Sequence, residues 1–101
     1  GVGFAEKIYE NALAHELRKA GLATVQQRGI TVMYDGIVVG DYSVDLLVEQ
    51  VLLVELKAVK TLNEDHHAQC VNYLTATGLR LCLLLNFGNP RLEIKRIAHR
   101  L

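Results

Sequence analysis

Two apolar runs meet between residues 44 and 57, where the sequence reads VDLLVEQVLLVELK. The first run is interrupted by one charge, Asp45, and the second ends in Glu55 and Lys57. An ionised carboxylate in an apolar strand is costly unless something compensates it. Side chains alternate along a strand, so Glu55 and Lys57 share one face. The stretch therefore predicts two adjacent strands that carry a charged site.

The connection between these two strands decides whether the carboxylates meet. If Glu49 and Gln50 formed a simple two-residue turn, Asp45 would pair with Val54 and point away from Glu55. Both carboxylates reach one site only if the pairing slips by one residue, through a three-residue loop or a β-bulge. We therefore predict an irregularity between Asp45 and Glu55.

The rest of the chain supplies helices and strands around this pair. Apolar residues recur at helical spacing in the first twenty residues, and Asp35-Gly36 is a strong hairpin signal. The expected order is αβββαββ, an α/β fold with a mixed central sheet flanked by helices and a parallel βαβ crossover. The predicted elements are a helix ending near Ala20, strands over 24–34, 37–48 and 51–58, a helix between Thr61 and Gly78, and strands over 80–87 and 92–98.

The second helix has a clear start signal in Thr61-Leu62-Asn63-Glu64. Thr followed three residues later by Glu fits the capping box, which predicts Thr61 as the N-cap. The expected buried face of this helix comprises Ala68, Val71, Leu74 and Thr75.

Composition bounds the function. The chain has 101 residues, eleven basic and eleven acidic, and we expect one domain over residues 1–101. Neutrality argues against a protein that coats DNA, which needs an excess of Lys and Arg. Cys70 and Cys82 lack CxxC spacing and are expected to be free buried thiols. No apolar run approaches a membrane span, and a cytoplasmic protein is expected.

The pattern D-x(9)-E-x-K suits a phosphodiesterase that uses a divalent cation. Asp45 and Glu55 supply hard oxygen ligands for Mg²⁺, which polarises the phosphate and activates a water. Lys57 can orient that water or stabilise the growing negative charge. The alternative is that Asp45 caps backbone groups at a strand end while Glu55 and Lys57 form a surface ion pair.

The chain resembles the GxxExxY proteins, a prokaryotic family placed in the PD-(D/E)xK nuclease superfamily. The name motif stands here as Gly3-Phe4-Ala5-Glu6-Lys7-Ile8-Tyr9, and the nuclease core as Asp45 with Glu55-Leu56-Lys57. The similarity continues through Ala68-Gln69, Leu85-Asn86-Phe87 and Ile94-Lys95-Arg96-Ile97, so it covers nearly the whole chain. It implies a restriction-endonuclease-like core, Mg²⁺ or Mn²⁺ as cofactor, and a further N-terminal segment that completes the first helix.

The resemblance also assigns roles to residues on the two helices. It implies that Glu6 completes the acidic cluster, whereas an acid in a first turn can also simply favour the helix dipole. Gln69 and Tyr73, at i and i+4, match a Q-x-x-x-Y element in which the glutamine orients water or substrate. The alternative for this pair is an amide and a phenol at the edge of a packed helix. His66 lies one turn before Gln69 and can face the site, although histidines on such helices are usually solvated.

The substrate that follows is nucleic acid, and DNA is expected. Tyr73, Lys60 and Arg96 are the candidate substrate-binding residues. The basic residues that could attract phosphate are Arg80, Arg91, Lys95, Arg96 and Arg100. However, the adjacent strand residues Lys95 and Arg96 face opposite sides, and such residues are often the solvated face of an edge strand. The predicted function is hydrolysis of phosphodiester bonds by a metal-dependent nuclease. The alternative is a catalytically inactive interaction module on the same fold, and a homodimer is possible in either case.

Overall fold

A computed structural model describes residues 2–99, with two helices and five strands in the order αβββαββ. The predicted α/β architecture is confirmed, β1 and β2 have the predicted ends, and the ends of the other elements differ from expectation by at most three residues. The elements are α1 (Val2–Lys19), β1 (Thr24–Tyr34), β2 (Ile37–Val48), β3 (Leu52–Lys57), α2 (Glu64–Thr77), β4 (Leu81–Asn86) and β5 (Glu93–Ala98).

The five strands form one mixed sheet in the order β1-β2-β3-β4-β5. Only β3 and β4 run parallel, joined by the crossover through α2, as the sequence predicts. The other neighbours are antiparallel. β2 pairs with β3 only from Leu46 to Val48. The rest of the β1–β2 hairpin, residues 28–44, continues past β3 as a two-stranded arm.

Each face of the sheet is covered by one helix and carries its own apolar core. The core under α2 includes Val44, Leu53 and Leu84, and the core under α1 includes Leu46 and Leu56. Strand alternation sends Leu53 to one face and Leu56 to the other. Glu55, which lies two residues after Leu53, therefore belongs to the α2 face.

The connection between β2 and β3 contains three residues, and the predicted slip in register is confirmed. Val48 pairs with Leu52, which leaves Glu49, Gln50 and Val51 in the loop. Glu49 and Gln50 both adopt positive φ, 53° and 60°, and the Val51 amide donates to the Val48 carbonyl at 3.1 Å. This is the geometry of a tight hairpin turn with one extra residue.

A second irregularity affects both β1 and β2, at the level of Gln27 in β1 and Asp45 in β2. Gln27 has a φ of 53° within β1, a conformation that a residue with a side chain rarely adopts. Val44 and Leu46 are two residues apart, yet Val44 packs under α2 and Leu46 under α1. In a regular strand they would share a face, so the hairpin reverses its faces at the level of Gln27 and Asp45.

The N-cap of α2 is Asn63, so the prediction of Thr61 is wrong. The Asn63 side chain accepts a hydrogen bond from the His66 amide at 3.1 Å, and the His66 Nδ1 accepts one from the Asn63 amide at 3.1 Å. His66 therefore occupies the position that Glu or Gln usually fills in a capping box. Gly78 ends the helix in the left-handed conformation, as predicted.

The buried face of α2 is also corrected. Leu74 is buried and Val71 packs against the core, as predicted, but the predicted Ala68 and Thr75 are exposed and Cys70 and Tyr73 are buried instead. The helix is rotated toward Cys70 because Cys70 and Cys82 lie together in the core under α2. Both cysteines are free and buried, as expected. Within residues 2–99, neither helix is long and apolar enough to cross a membrane.

The segment that follows β3 is locked to β4 by Asn86. This fully buried amide accepts from the amides of Val59 and Gly88 at 3.0 Å each, and donates to the Val59 carbonyl at 2.8 Å. Gly88 packs so closely that a Cβ there would lie 2.1 Å from the Val59 oxygen. The lock fixes the backbone immediately after Lys57.

Candidate metal centre and nuclease site

Asp45 and Glu55 lie side by side where β2 and β3 separate. The Asp45 amide donates to Glu55 Oε1 at 2.8 Å, and the Leu56 amide donates to Asp45 Oδ2 at 2.8 Å. Carboxylates thus replace the backbone ladder that ends at Leu46 and Val54. The one-residue slip brings the two acids together, as its geometry predicts.

The environment of the pair disfavours two negative charges. Burial, and then the charge of Asp45, raises the pKa of the Glu55 carboxyl to about 8. Burial also raises the pKa of Asp45, against the hydrogen bonds from Leu56 and Gln27 that lower it. Glu55 is only 4% exposed, so solvent does little to relieve the repulsion. A bound cation would remove the conflict.

Lys57 lies on the same strand face as Glu55 and is half-buried. Its charge lowers the pKa of both Asp45 and Glu55, which places it within electrostatic reach of the pair. The backbone carbonyl of Lys57 accepts from the Phe87 amide at 2.8 Å, which ties the end of β3 to β4.

Helix α1 directs two acids toward the site, one turn apart. Glu6 Oε1 accepts from the Ala58 amide at 3.2 Å, next to Lys57. Glu10 is 3% exposed, and its charge raises the pKa of Asp45. The resemblance assigned the accessory acid to Glu6, but the structure gives Glu10 the nearer electrostatic link to Asp45.

Sequence reasoning missed Glu10 and two glutamines that hold it. Gln27 Nε2 donates to Glu10 Oε1 at 2.6 Å and to Asp45 Oδ1 at 3.2 Å. Gln26 Nε2 donates to Glu10 Oε2 at 2.7 Å, and Lys7 Nζ lies 3.1 Å from the same oxygen. Three polar residues in a row, Gln26, Gln27 and Arg28, break the alternation of β1, and this break is a signal in the sequence that could have pointed to them.

Gln69 and Tyr73 line a groove of about 820 Å³ between α2 and the β1–β2 arm. Asn72, from α2, and Met33 and Tyr42, from the arm, also line it. The rings of Tyr42 and Tyr73 lie 6.3 Å apart. Burial, and then the charge of Glu55, raises the pKa of Tyr73 to about 12, so Tyr73 connects the groove electrostatically to the acidic pair.

Within residues 2–99, three other candidate residues make no hydrogen bond to Asp45 or Glu55. Lys60 is exposed, and its carbonyl accepts from the Asn89 side chain at 2.9 Å. Arg96 is exposed on the edge strand β5, with β4 between it and β3, and Arg100 lies outside the described residues. His66 uses its Nδ1 in the cap of α2.

The donor set at the centre of the site fits a hard divalent cation. Within residues 2–99, no three His, Cys, Asp or Glu side chains cluster closely enough to hold a metal by themselves. Asp45 and Glu55 nevertheless offer adjacent carboxylate oxygens, and each oxygen keeps a lone pair after the hydrogen bonds that it accepts. Mg²⁺ is commonly held by one or two carboxylates with waters completing its shell.

Solved structures that are similar to this chain identify its fold. SSO0001 matches with a TM-score of 0.71 and 17% sequence identity, over 94% of this chain and 50% of that one. LHK-Exo in complex with dAMP matches with a TM-score of 0.66 and 17% identity, over 93% of this chain and 55% of that one. The alkaline exonuclease LHK-Exo from Laribacter hongkongensis matches with a TM-score of 0.55 and 18% identity, over 93% of this chain and 56% of that one.

This chain therefore spans about half the length of these structures, and the likeness confirms the restriction-endonuclease-like fold. No curated protein sequence matches the chain. The family model described as the PD-(D/E)XK nuclease superfamily matches residues 1–97, almost the whole sequence. The chain belongs to the PD-(D/E)XK nuclease superfamily.

Proposed function

We propose that the chain is a metal-dependent nuclease that hydrolyses phosphodiester bonds in nucleic acid, with DNA as the substrate. The observation that carries the proposal is the register slip that sets Asp45 beside Glu55, with Lys57 on the same strand face. Two acids in contact, one of them almost fully buried, are costly in a purely structural strand. They are useful where a cation and a phosphate have to be held.

Each residue has a role in this proposal. Asp45 and Glu55 hold Mg²⁺ or Mn²⁺, which when bound polarises the phosphate and lowers the pKa of a water. Lys57 stabilises the negative charge that develops on the phosphate oxygens. Gln69, on the wall of the groove, orients water or substrate by hydrogen bonding, and Tyr73 and Tyr42 offer ring faces to a base.

Within the superfamily we infer membership of the GxxExxY proteins. Two motif residues have defined contacts that support this inference. Glu6 accepts from the Ala58 amide beside Lys57. Tyr9 stacks on Phe87 with ring centroids 4.4 Å apart and an interplanar angle of 8°. The motif therefore joins α1 to the ends of β3 and β4 at the site.

Nucleic acid as the substrate is supported by the groove and by one neighbour. The LHK-Exo structure was solved in complex with dAMP. In this chain, the only charged residue among those lining the groove within the described part is Asp65. A groove with few charges but with amides and tyrosine rings suits bases better than phosphates.

The test is a cleavage assay with single-stranded, duplex and branched DNA and with RNA, each with Mg²⁺ or Mn²⁺ and with a chelator. The wild type should cleave only with metal. Asp45→Asn and Lys57→Ala should lose at least about 100-fold in rate, because the first removes the charge of a metal ligand and the second removes the cation that stabilises the transition state.

Two matched variants separate chemistry from general damage. Asp41→Asn changes an exposed acid on the same strand as Asp45, and Lys19→Ala removes an exposed lysine at the end of α1. Both should cleave like the wild type. Equal activity of Asp45→Asn, Lys57→Ala and the wild type would refute the assignment of the site.

A second candidate function is a catalytically inactive interaction module. It is favoured by apolar side chains that the arm exposes, each by more than half: Met33, Tyr34, Ile37, Val38, Val39 and Tyr42. If no substrate is cleaved, sedimentation of the wild type and of Val39→Lys across a concentration range tests this candidate. Concentration-dependent association that the variant abolishes would support an interaction surface on the arm.

A further inference from the structure

The backbone of Gln27 is left-handed although this residue does not lie in a turn. Among residues 2–99, four non-glycine residues have positive φ, and Asp35, Glu49 and Gln50 lie in turns. Gln27, by contrast, lies inside strand β1. Strained conformations of this kind persist where surrounding interactions hold them, often at functional sites.

The side chain of Gln27 joins three groups around Asp45. Its Nε2 donates to Glu10 Oε1 at 2.6 Å and to Asp45 Oδ1 at 3.2 Å. Its Oε1 accepts from the Ser43 hydroxyl at 2.9 Å. The bridge therefore links α1, β1 and β2 through one amide.

The chemistry of the bridge fixes the direction of the amide. An NH₂ group has two hydrogens, enough to serve one carboxylate on each side. The reversed amide would place its oxygen against two carboxylates, which have no hydrogen to donate. The Ser43 hydroxyl completes the set by donating to the amide oxygen. Gln27 thus holds two negative groups in fixed positions without adding charge.

We propose that Gln27 is a positioning residue that holds the Asp45 carboxylate in the orientation that binds the divalent cation. This inference rests on the proposed function, and it adds a residue to which neither the sequence pattern nor the resemblance gave a role. The left-handed backbone aims the amide at Asp45, while the Leu56 amide holds the other Asp45 oxygen. Partners that orient metal ligands typically change metal affinity 10- to 100-fold when they are removed.

The first test measures Mn²⁺ affinity by calorimetry for three variants. Gln27→Met keeps the chain length and the backbone conformation but removes the amide, and Gln27→Gly relieves the backbone and also removes the amide. Gln50→Gly relieves the same strain in the β2–β3 turn without changing its course, because glycine readily adopts the positive φ of this position. Both Gln27 variants should bind Mn²⁺ at least about tenfold more weakly, and Gln50→Gly should bind like the wild type. Wild-type affinity in either Gln27 variant would overturn the proposal, because the amide would then not be needed to position Asp45.

The second test needs no metal and separates this inference from the proposed function. In the metal-free protein, hydrogen exchange of the Leu56 amide reports how firmly Asp45 holds its position. Gln27→Met should speed this exchange several-fold, while the Leu53 amide in the same strand should be unchanged. If the wild type binds no Mn²⁺ but Gln27→Met speeds exchange of the Leu56 amide, the proposed metal site is refuted and the positioning role stands. If Leu56 exchange in Gln27→Met equals that in the wild type, the positioning role fails.

Discussion

Glu55 carries the clearest electrostatic conflict at the scale of single residues. It is almost fully buried, its neighbour is an acid, and its pKa rises to about 8. Only one hydrogen bond, from the Asp45 amide, favours its charged form, together with the charge of Lys57. The metal-free protein therefore keeps a proton at Glu55 that the unfolded chain would release.

That proton makes stability depend on pH with a definite sign. An unfolded glutamate titrates near 4.5, whereas the folded one titrates near 8, so between these values the folded state binds more protons. The free energy of unfolding should therefore fall as pH rises from 5 to 8, on the order of a few kcal/mol from this group. Urea denaturation of the metal-free protein at a series of pH values measures it.

Glu55→Gln should flatten this pH dependence, because the amide does not titrate. Glu16→Gln, which changes an exposed glutamate of α1, should leave the slope unaltered. Mg²⁺ at pH 8 should raise the stability of the wild type but not that of Glu55→Gln, since only the wild type presents both ligands. A wild type whose stability is unchanged across the range would contradict a raised pKa at Glu55.

At the scale of elements, the start of α2 separates what the sequence predicts from what it leaves open. Thr61 and Asn63 are both good N-cap residues, and each has a plausible partner three residues on. The choice is made by tertiary packing: Leu62 is buried in the core under α2, which pulls the chain inward before the helix begins. The sequence around Thr61 does not reveal that Leu62 is buried in this core.

The cap assignment predicts a clear difference between two substitutions. Asn63→Ala should destabilise the protein by about 1 kcal/mol, because the His66 amide loses its acceptor and the reciprocal bond is weakened. Thr61→Ala should change the stability by less than about 0.5 kcal/mol. Thermal unfolding of both variants decides between the two caps, and the opposite ranking would restore Thr61 as the N-cap.

The buried face of α2 was predicted only in part, for a related reason. Periodicity identifies α2 but gives two adjacent apolar faces, and small residues such as Ala68 fit either one. Tyr73 is buried in the core under α2, and its ring lies 6.3 Å from that of Tyr42, a residue of the arm that is far away in sequence. By contrast, the two strands that carry the acidic pair are rich in apolar residues and are separated by a short polar pair, and their limits were predicted to within one residue at each end.

At the scale of the whole molecule, the site divides into a part that the sequence predicts and a part that it does not. Asp45 and Glu55 lie on neighbouring strands, so strand geometry alone could require a register slip. Glu10 and Gln27 meet Asp45 only because α1 packs across β1 and because Gln27 adopts a left-handed backbone. Neither condition follows from spacing, and both depend on contacts between distant segments.

The lock at Asn86 is another such contact, and it links the stability of the molecule to the site. Asn86 holds both the amide and the carbonyl of Val59, two residues after Lys57. Gly88 leaves no room for a side chain, because a Cβ would lie 2.1 Å from the Val59 oxygen. A side chain at position 88 therefore has to displace the Val59 backbone, two residues after Lys57.

Gly88→Ala should therefore destabilise the protein by about 2 kcal/mol or more, because backbone has to shift in a packed region. Asn86→Ala should cost about as much, since it leaves the buried polar groups of Val59 without partners. Gly29→Ala is the matched control, because a Cβ at Gly29 meets nothing within 4 Å. Urea denaturation should rank Gly29→Ala close to the wild type and both other variants well below it. Equal stability of Gly88→Ala and Gly29→Ala would mean that the segment after β3 yields freely, and the end of β3 would then not be held by the lock.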